Sequence, residues 1–220
     1  MVYGTDIGRK FNEDGTVRRY PGNTVVADVT PGCTGYDAMN KLRDMIIENG
    51  FEKNIILLPS DSYHMTLING IDDQVRDAEH WPSGMPLDAS MSEMDDYVAS
   101  AVAKVPMPKN IKVKFNRVAF SNCCMVVLVN PVNEAEIRAF RDAVAKELGL
   151  RFPRHDTYNF HISLGYTWEM PEGAELDRIK ALKLKMTEFL SEQPEFELAP
   201  PYMAFFDDMF AFSPERIPRD

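Results

Sequence analysis

The sequence predicts an α+β protein with two similar halves, each a mainly antiparallel sheet backed by helices, facing each other across a central cleft. Three observations lead to this fold class. Apolar residues alternate with a period of two in several short segments and recur with helical spacing in four others. The order of these segments reads as one unit used twice. A four-position pattern, histidine–apolar–hydroxyl–leucine, stands at a corresponding place in each half.

Residues 1–22 are polar and rich in glycine, and we expect them to form an N-terminal extension. The elements predicted for the first half are a strand at 24–29, a helix at 36–49 and strands at 55–58 and 63–68. Asn69-Gly70 is a turn signal that is expected to end the last of these strands. Residues 71–92 carry Trp81-Pro82 and two further helix breakers, which indicates an irregular insertion.

The second half repeats the pattern. Its predicted elements are a helix at 93–105, strands at 111–115 and 125–129, a helix between Asn133 as N-cap and Gly149 as stop, a strand at 158–166, a helix at 172–190 and an aromatic, strand-forming tail at 196–212. We therefore expect residues 23–220 to form one bilobal domain with interleaved lobes. The two motif strands lie near 62–68 and 158–166 in this arrangement.

The length, net charge and cysteine content of the chain limit the functions that it can have. The chain has 220 residues and a formal net charge of -10, which makes it a poor candidate for binding long nucleic acid, although a cleft can be locally positive on an acidic protein. The longest apolar run, 124–129, is too short to span a bilayer, and no signal peptide is evident. Three cysteines make no disulfide framework. We expect a cytoplasmic monomer that does not bind membranes.

The paired motifs are His64-Met65-Thr66-Leu67 and His161-Ile162-Ser163-Leu164. Residues two apart on a strand point to the same face, so each strand presents an imidazole beside a hydroxyl and packs its apolar residues on the other face. A lone histidine on a strand is more often structural than catalytic. Two copies of the same pattern in matching halves favour a functional role for all four polar residues.

These residue types suit phosphodiester chemistry. A neutral histidine takes a proton from the attacking oxygen and a protonated one gives a proton to the leaving oxygen, because the ordinary histidine pKa is close to working pH. The hydroxyls of Thr66 and Ser163 can donate hydrogen bonds to the non-bridging phosphate oxygens. The scheme uses neither a metal nor a cofactor, and the sequence contains no metal-binding or phosphate-loop motif.

Five further residues are candidates for substrate binding. Arg154 can pair with a phosphate in bidentate fashion. Tyr158 and Tyr166 flank the second motif and either stack on a base or pack on the sheet. His155 either lines the mouth of the cleft or bonds to Asp156, and the side chain of Asn23 is placed to reach a ligand or to serve only in a turn.

The motif pair resembles that of the two-histidine (2H) phosphoesterase superfamily, whose signature is one H-x-[TS]-x motif in each of two lobes. Pro21-Gly22-Asn23-Thr24, Trp81-Pro82 and residues 155–161 are similar to an uncharacterised bacterial and fungal branch of it. The resemblance covers most of residues 23–213. It implies a bilobal fold, metal-independent chemistry, catalytic His64 and His161, and phosphate binding by Thr66 and Ser163.

The expected function is hydrolysis of a 2′,3′-cyclic phosphate or another small nucleotide or oligonucleotide phosphodiester. The acidic charge and the 71–92 insertion differ from family members that act on tRNA-sized substrates, which favours a small substrate. Two alternatives remain open. One is ligation that forms a 2′-5′ RNA bond with the same residues, and the other is a non-catalytic protein that binds cyclic nucleotides in the same cleft.

Overall fold

The computed structural model describes residues 2–219, which form eight strands and four α-helices. In chain order these are β1 (Gly22–Asp28), α1 (Thr34–Glu48), β2 (Ile55–Leu57), β3 (His64–Asp72), α2 (Met91–Val102), β4 (Lys112–Phe120), β5 (Cys124–Pro131), α3 (Glu134–Leu148), β6 (His161–Thr167), α4 (Gly173–Ser191), β7 (Phe196–Glu197) and β8 (Tyr202–Phe206). The helices lie within a few residues of the predicted bounds.

The strands pair antiparallel throughout the described chain, in the order β7-β4-β5-β6-β3-β1-β8, with β2 alongside β6. The predicted α+β class is thus confirmed. The two predicted sheets, however, are halves of one continuous sheet, because β3 and β6 pair at Met65 and Ile162. An unpaired strand edge exposes backbone groups, and joining the halves satisfies some of them at the centre.

The two motif strands show the alternation that the sequence predicts. Over their first five residues, β3 and β6 have the same pattern of half-buried and buried positions. Met65, Leu67, Ile162 and Leu164 are fully buried in the main hydrophobic core. The histidines and hydroxyl residues between them are half-buried on the opposite face.

The strand β3 runs further than predicted. It continues through Asn69-Gly70 to Asp72 instead of turning there. A glycine is needed at position 70 for a steric reason, because a Cβ there would lie 2.1 Å from the side-chain oxygen of Asn23 on β1. The glycine allows close approach of two strands rather than a turn.

Capping residues mark the start of α2 and the end of α3. Ser90 and Glu93 form a capping box that starts α2 at Met91. Gly149 ends α3 in the left-handed conformation at φ 63°. Asn133 stands at the N-cap of α3, but its side chain donates to Glu136 rather than capping the backbone. Between β3 and α2 the chain forms no helix or strand, as predicted for the insertion.

Both ends of the described chain pack over one face of the sheet. Phe11, Tyr20, Phe206 and Met209 form a second, smaller cluster of buried residues, separate from the main core. Arg219 anchors the C-terminal segment through a buried ion pair with Asp95, at 2.9 Å. No helix within residues 2–219 is long and apolar enough to cross a membrane.

Candidate active site

The four polar motif residues line a single cleft of about 540 Å³. Met65 and Ile162 are register partners in an antiparallel pair. The polar motif residues on either side of this pair point to the cleft from both strands. Each imidazole therefore shares one face of its strand with the hydroxyl two residues later.

The same hydrogen bond orients both histidines. The Nδ1 atom of His64 lies 2.8 Å from the Ser62 carbonyl oxygen, and the Nδ1 atom of His161 lies 2.9 Å from the Asn159 carbonyl oxygen. A carbonyl only accepts, so each Nδ1 carries the proton and donates it. The Nε2 atom of each neutral ring is then a proton acceptor, which is the atom available for acid–base chemistry.

The C-terminal segment covers His64. The ring of Phe212 lies 4.2 Å from the imidazole of His64, centroid to centroid. Burial lowers the pKa of His64 to about 4, the hydrogen bond to Ser62 opposes this shift, and the charge of His161 adds to it. His64 is therefore neutral at physiological pH in the free protein.

His161 has different neighbours. Its ring lies 5.9 Å from that of Tyr158. Burial lowers the pKa of His161, the hydrogen bond to Asn159 opposes this, and the positive charge of Lys10 lowers it further. His161 thus has both an aromatic ring and the charge of Lys10 in its surroundings, whereas the ring of Phe212 covers His64.

The two predicted tyrosines both line the cleft. The guanidinium of Arg141 lies 4.3 Å from the ring centre of Tyr158, so one face of this ring is occupied. The ammonium of Lys10 lies 4.8 Å from the ring centre of Tyr166, which also packs on Phe11 at 5.0 Å. Burial raises the pKa of Tyr158 to about 12, with Arg141 opposing the shift, so its phenol stays protonated and can donate a hydrogen bond.

Three other predicted residues have different roles. The amide of Asn23 lines the cleft but is almost fully buried, and it donates to Asp95 and accepts from the Ile71 backbone, both at 2.9 Å. These two hydrogen bonds link β1, β3 and α2 and give the Asn23 side chain a structural role. Arg154 is exposed and lies outside the cleft lining.

His155 is likewise outside the lining. Its side chain is buried, and its Nε2 lies 2.9 Å from a carboxylate oxygen of Asp142 on α3. Of the two alternatives that the sequence left open, the bond to a carboxylate is the observed one, although the partner is Asp142 rather than the adjacent Asp156. Burial lowers the pKa of His155.

Several residues of the cleft carry no signal in the sequence. They come from the chain ends and the insertion, and include Arg9, Lys10, Tyr20, His80, Phe206 and Phe212. None belongs to a motif, and each reaches the cleft through contacts between segments distant in the chain. Only the aromatic character of the tail hints at a packing role for Phe212.

The cleft is less acidic than the protein. Two cationic side chains, Arg9 and Lys10, and one carboxylate, Asp72, line the cleft. The whole chain, in contrast, has a formal net charge of -10. Residues 2–219 contain no group of three or more histidine, cysteine or acidic side chains that could hold a metal ion. The arrangement offers two imidazole nitrogens, two hydroxyls and a locally positive surface to an anion.

Comparison with known proteins identifies a family. The sequence model of the family described as 2H-phosphodiest, "Domain of unknown function (DUF1868)", matches residues 10–124. The structure is similar to that of the conserved protein of unknown function ATU0111 from Agrobacterium tumefaciens, with a TM-score of 0.85 and 28% sequence identity. The alignment covers 100% of this chain and 94% of that one. No curated protein matches the chain.

Two more distant structures also match. TT0787 of Thermus thermophilus has a TM-score of 0.46 and 11% identity, over 83% of this chain and 85% of that chain. LigT of Escherichia coli, solved with phosphate, has a TM-score of 0.46 and 7% identity, over 86% of this chain and 88% of that chain.

Proposed function

Since the chain belongs to the 2H-phosphodiesterase family (DUF1868), we propose that it hydrolyses a 2′,3′-cyclic phosphate or another small nucleotide phosphodiester by acid–base catalysis with two histidines. One observation carries the proposal. Two histidines with the same fixed Nδ1–H tautomer stand in one cleft, each beside a hydroxyl, on strands that pair with each other.

The reaction needs one proton acceptor and one proton donor. Water forms a new P–O bond at phosphorus and passes its proton to the Nε2 of one histidine. The bond from phosphorus to the ribose oxygen breaks, and this oxygen takes a proton from the Nε2 of the other histidine. A cyclic phosphodiester becomes a phosphomonoester, and no metal enters the step.

The surroundings of the histidines favour one assignment of roles. His64 is held neutral down to about pH 4, so we assign it the base role, which leaves His161 as the acid. A bound phosphodiester anion stabilises a nearby imidazolium, which raises the pKa of His161 and allows it to carry a proton in the complex. The hydroxyls of Thr66 and Ser163 donate to the non-bridging oxygens, where charge accumulates.

The dimensions and chemistry of the cleft support a small substrate. Its volume of about 540 Å³ lies in the range of single-ligand pockets. Tyr20, Phe152, Phe206 and Phe212 supply aromatic surface at the cleft, which suits contact with a nucleobase. Arg9 and Lys10 favour an anion. The three cysteines are free thiols, in keeping with the reducing, cytoplasmic setting that we propose.

The direct test is a hydrolysis assay of the purified protein with a metal chelator present. The panel contains 2′,3′-cyclic nucleotides, cyclic dinucleotides, cyclic oligonucleotides and ADP-ribose cyclic phosphate, and the products are identified by phosphorus NMR. We expect at least one member to be opened to a phosphomonoester.

Each other outcome contradicts a specific part of the proposal. Turnover that requires added divalent ion contradicts the metal-independent mechanism. Tight binding of a cyclic nucleotide without product over hours would favour the alternative of a non-catalytic binding protein over the proposed enzyme. In a parallel incubation with RNA oligonucleotides, joining of RNA ends without hydrolysis of any cyclic phosphate would favour ligase activity over the proposed hydrolysis.

A further inference from the structure

Lys10 reaches the cleft from the N-terminal segment, outside both histidine motifs. The neighbouring Phe11 is completely buried and packs on Tyr166 and on Phe210 of the C-terminal segment. This anchor fixes the backbone at residue 10 and directs the lysine inward. The Lys10 side chain is only 16% exposed, whereas lysine side chains generally extend into solvent.

The ammonium of Lys10 is held loosely. It lies 3.6 Å from a carboxylate oxygen of Asp6 and 3.5 Å from the hydroxyl of Tyr166. It also lies 5.4 Å and 4.8 Å from the ring centres of Tyr20 and Tyr166. Both polar contacts are longer than an ordinary hydrogen bond, and an ammonium has three protons to donate. Lys10 therefore retains capacity for a further acceptor.

Asp6 does not neutralise this lysine by itself. Its carboxylate also contacts Arg9 at 3.3 Å and accepts from the thiol of Cys123 at 3.2 Å. Two cations thus share one carboxylate, and the group retains one net positive charge at the edge of the cleft. A partly buried charge of this kind is screened less by salt than a surface charge.

The positive charge of Lys10 affects the pKa of His161 in the cleft. Burial works against the charged form of Lys10, but the acidic groups of Tyr166 and Asp6 outweigh it and raise the pKa of the lysine, so Lys10 is protonated at working pH. Its charge in turn lowers the pKa of His161. The other titratable groups around the pair are His64, Tyr158 and Asp72 on the motif side, His80 on the insertion, and Arg9, Tyr20, Cys123 and Cys124 on the side of the N-terminal segment.

We propose that Lys10 is a further catalytic residue, which binds a non-bridging oxygen of the phosphodiester in the cleft that it shares with His161. This role rests on the proposed function. The lysine supplies a full positive charge where Thr66 and Ser163 supply only dipoles, and it stabilises the negative charge that accumulates at phosphorus in the transition state. The buried Phe11 anchors the backbone at residue 10 before the substrate arrives, so little reorganisation of this segment is needed.

The test compares Lys10→Met, which removes the charge at similar volume, with Lys10→Arg, which keeps it. Lys104→Met serves as the matched control, because Lys104 is exposed and paired with Glu147 away from the cleft. We expect Lys10→Met to lower kcat/KM on a 2′,3′-cyclic nucleotide by about 10²-fold. Lys10→Arg should retain most of the activity, and Lys104→Met should match the unmodified chain.

The pH profile separates this role from a merely structural one. Removing the positive charge raises the pKa of His161, so the alkaline limb of kcat/KM moves to higher pH in Lys10→Met and stays in place in Lys10→Arg. If Lys10→Met does not fold, Lys10→Gln replaces it, because an amide can keep polar contacts with Asp6 and Tyr166.

A folded charge-free variant with kcat/KM within threefold of the unmodified chain and an unmoved alkaline limb would overturn the role of Lys10. The proposed function stands in that case if the histidine variants are inactive. If no substrate in the panel reacts, the proposed function fails, and calorimetric titration with inorganic phosphate tests Lys10 alone. Weaker binding in Lys10→Met than in Lys104→Met then supports the phosphate contact of Lys10 without a catalytic role, and equal binding overturns the contact as well.

Discussion

The two motif strands share one local design and differ in what surrounds them. In both, a histidine donates from Nδ1 to the carbonyl two residues earlier, and a hydroxyl follows two residues later. His64 is covered by the ring of Phe212 from the C-terminal segment. His161 shares the cleft with Lys10 of the N-terminal segment, and burial and the charge of Lys10 both lower the pKa of His161.

This difference shows how a symmetric framework can perform an asymmetric reaction. The strands set the tautomer and direction of both imidazoles, and neither strand distinguishes acid from base. The two chain ends, which lie outside the repeated unit, give each histidine its own environment. Under the proposed mechanism, the roles of the two histidines are therefore determined by the chain ends rather than by the paired motifs.

The largest expected effect comes from removing either histidine. His64→Ala and His161→Ala should each lower kcat/KM by roughly 10²–10⁴-fold, because each removes one proton-transfer group. Steady-state rates with a 2′,3′-cyclic nucleotide measure the loss, and thermal unfolding checks that both variants fold. Near-normal turnover in either variant would show that the strands are not a functional pair.

The hydroxyls test whether the two strands contribute equally to phosphate binding. Thr66→Val and Ser163→Ala should each lower kcat/KM by about tenfold to 10²-fold, since each removes a hydrogen bond to a charged group. The same kinetic assay measures both. If one variant keeps the rate of the unmodified chain, its strand supplies an imidazole but no phosphate contact.

Phe212→Ala tests the origin of the low pKa of His64. Without the ring, water reaches the imidazole, so its pKa rises from about 4 towards the ordinary value of about 6.5. His64 is the proposed base and acts only when neutral, so the acid limb of kcat/KM should move to higher pH while the rate above pH 7.5 changes little. NMR titration of the imidazole Cε1–H gives the pKa directly.

Phe210→Ala is the matched control for this measurement, because Phe210 lies in the same segment but packs on Phe11 and is outside the cleft lining. The pKa of His64 should stay at about 4 in that variant. An unchanged pKa in Phe212→Ala would show that the covering ring is not the source of the shift.

The smallest expected effect is that of Arg154→Ala. The sequence suggests Arg154 as a phosphate ligand, whereas the structure places it on the surface outside the cleft. The variant should keep kcat/KM within about twofold, as surface substitutions usually have small effects. A tenfold loss in the hydrolysis assay would mean that the substrate extends to this part of the surface.

The sequence was sufficient for what depends on local periodicity. Alternation in β3 and β6 predicted which face carries His64, Thr66, His161 and Ser163, and the helix stop at Gly149 followed from its position after an apolar stripe. These features are set by neighbours within one element. No contact with a distant segment was needed to infer them.

The features that the sequence did not predict depend on contacts between distant segments. Asn69-Gly70 has the composition of a turn, but the close approach of Asn23 makes it part of a strand. Asn23 is polar and near the cleft, yet Asp95 and Ile71 use its amide. Lys10 and Phe212 lie in no motif, and only the packing of both chain ends brings them to the histidines.

The most direct test of the paired-histidine account is the pH dependence of kcat/KM, with a 2′,3′-cyclic nucleotide and a chelator, for the unmodified chain and both single-histidine variants. The account predicts a bell-shaped profile for the unmodified chain, loss of the acid limb in the residual activity of His64→Ala, and loss of the alkaline limb in that of His161→Ala. Loss of the same limb in both variants, or an intact bell in either, would contradict complementary roles for the two strands.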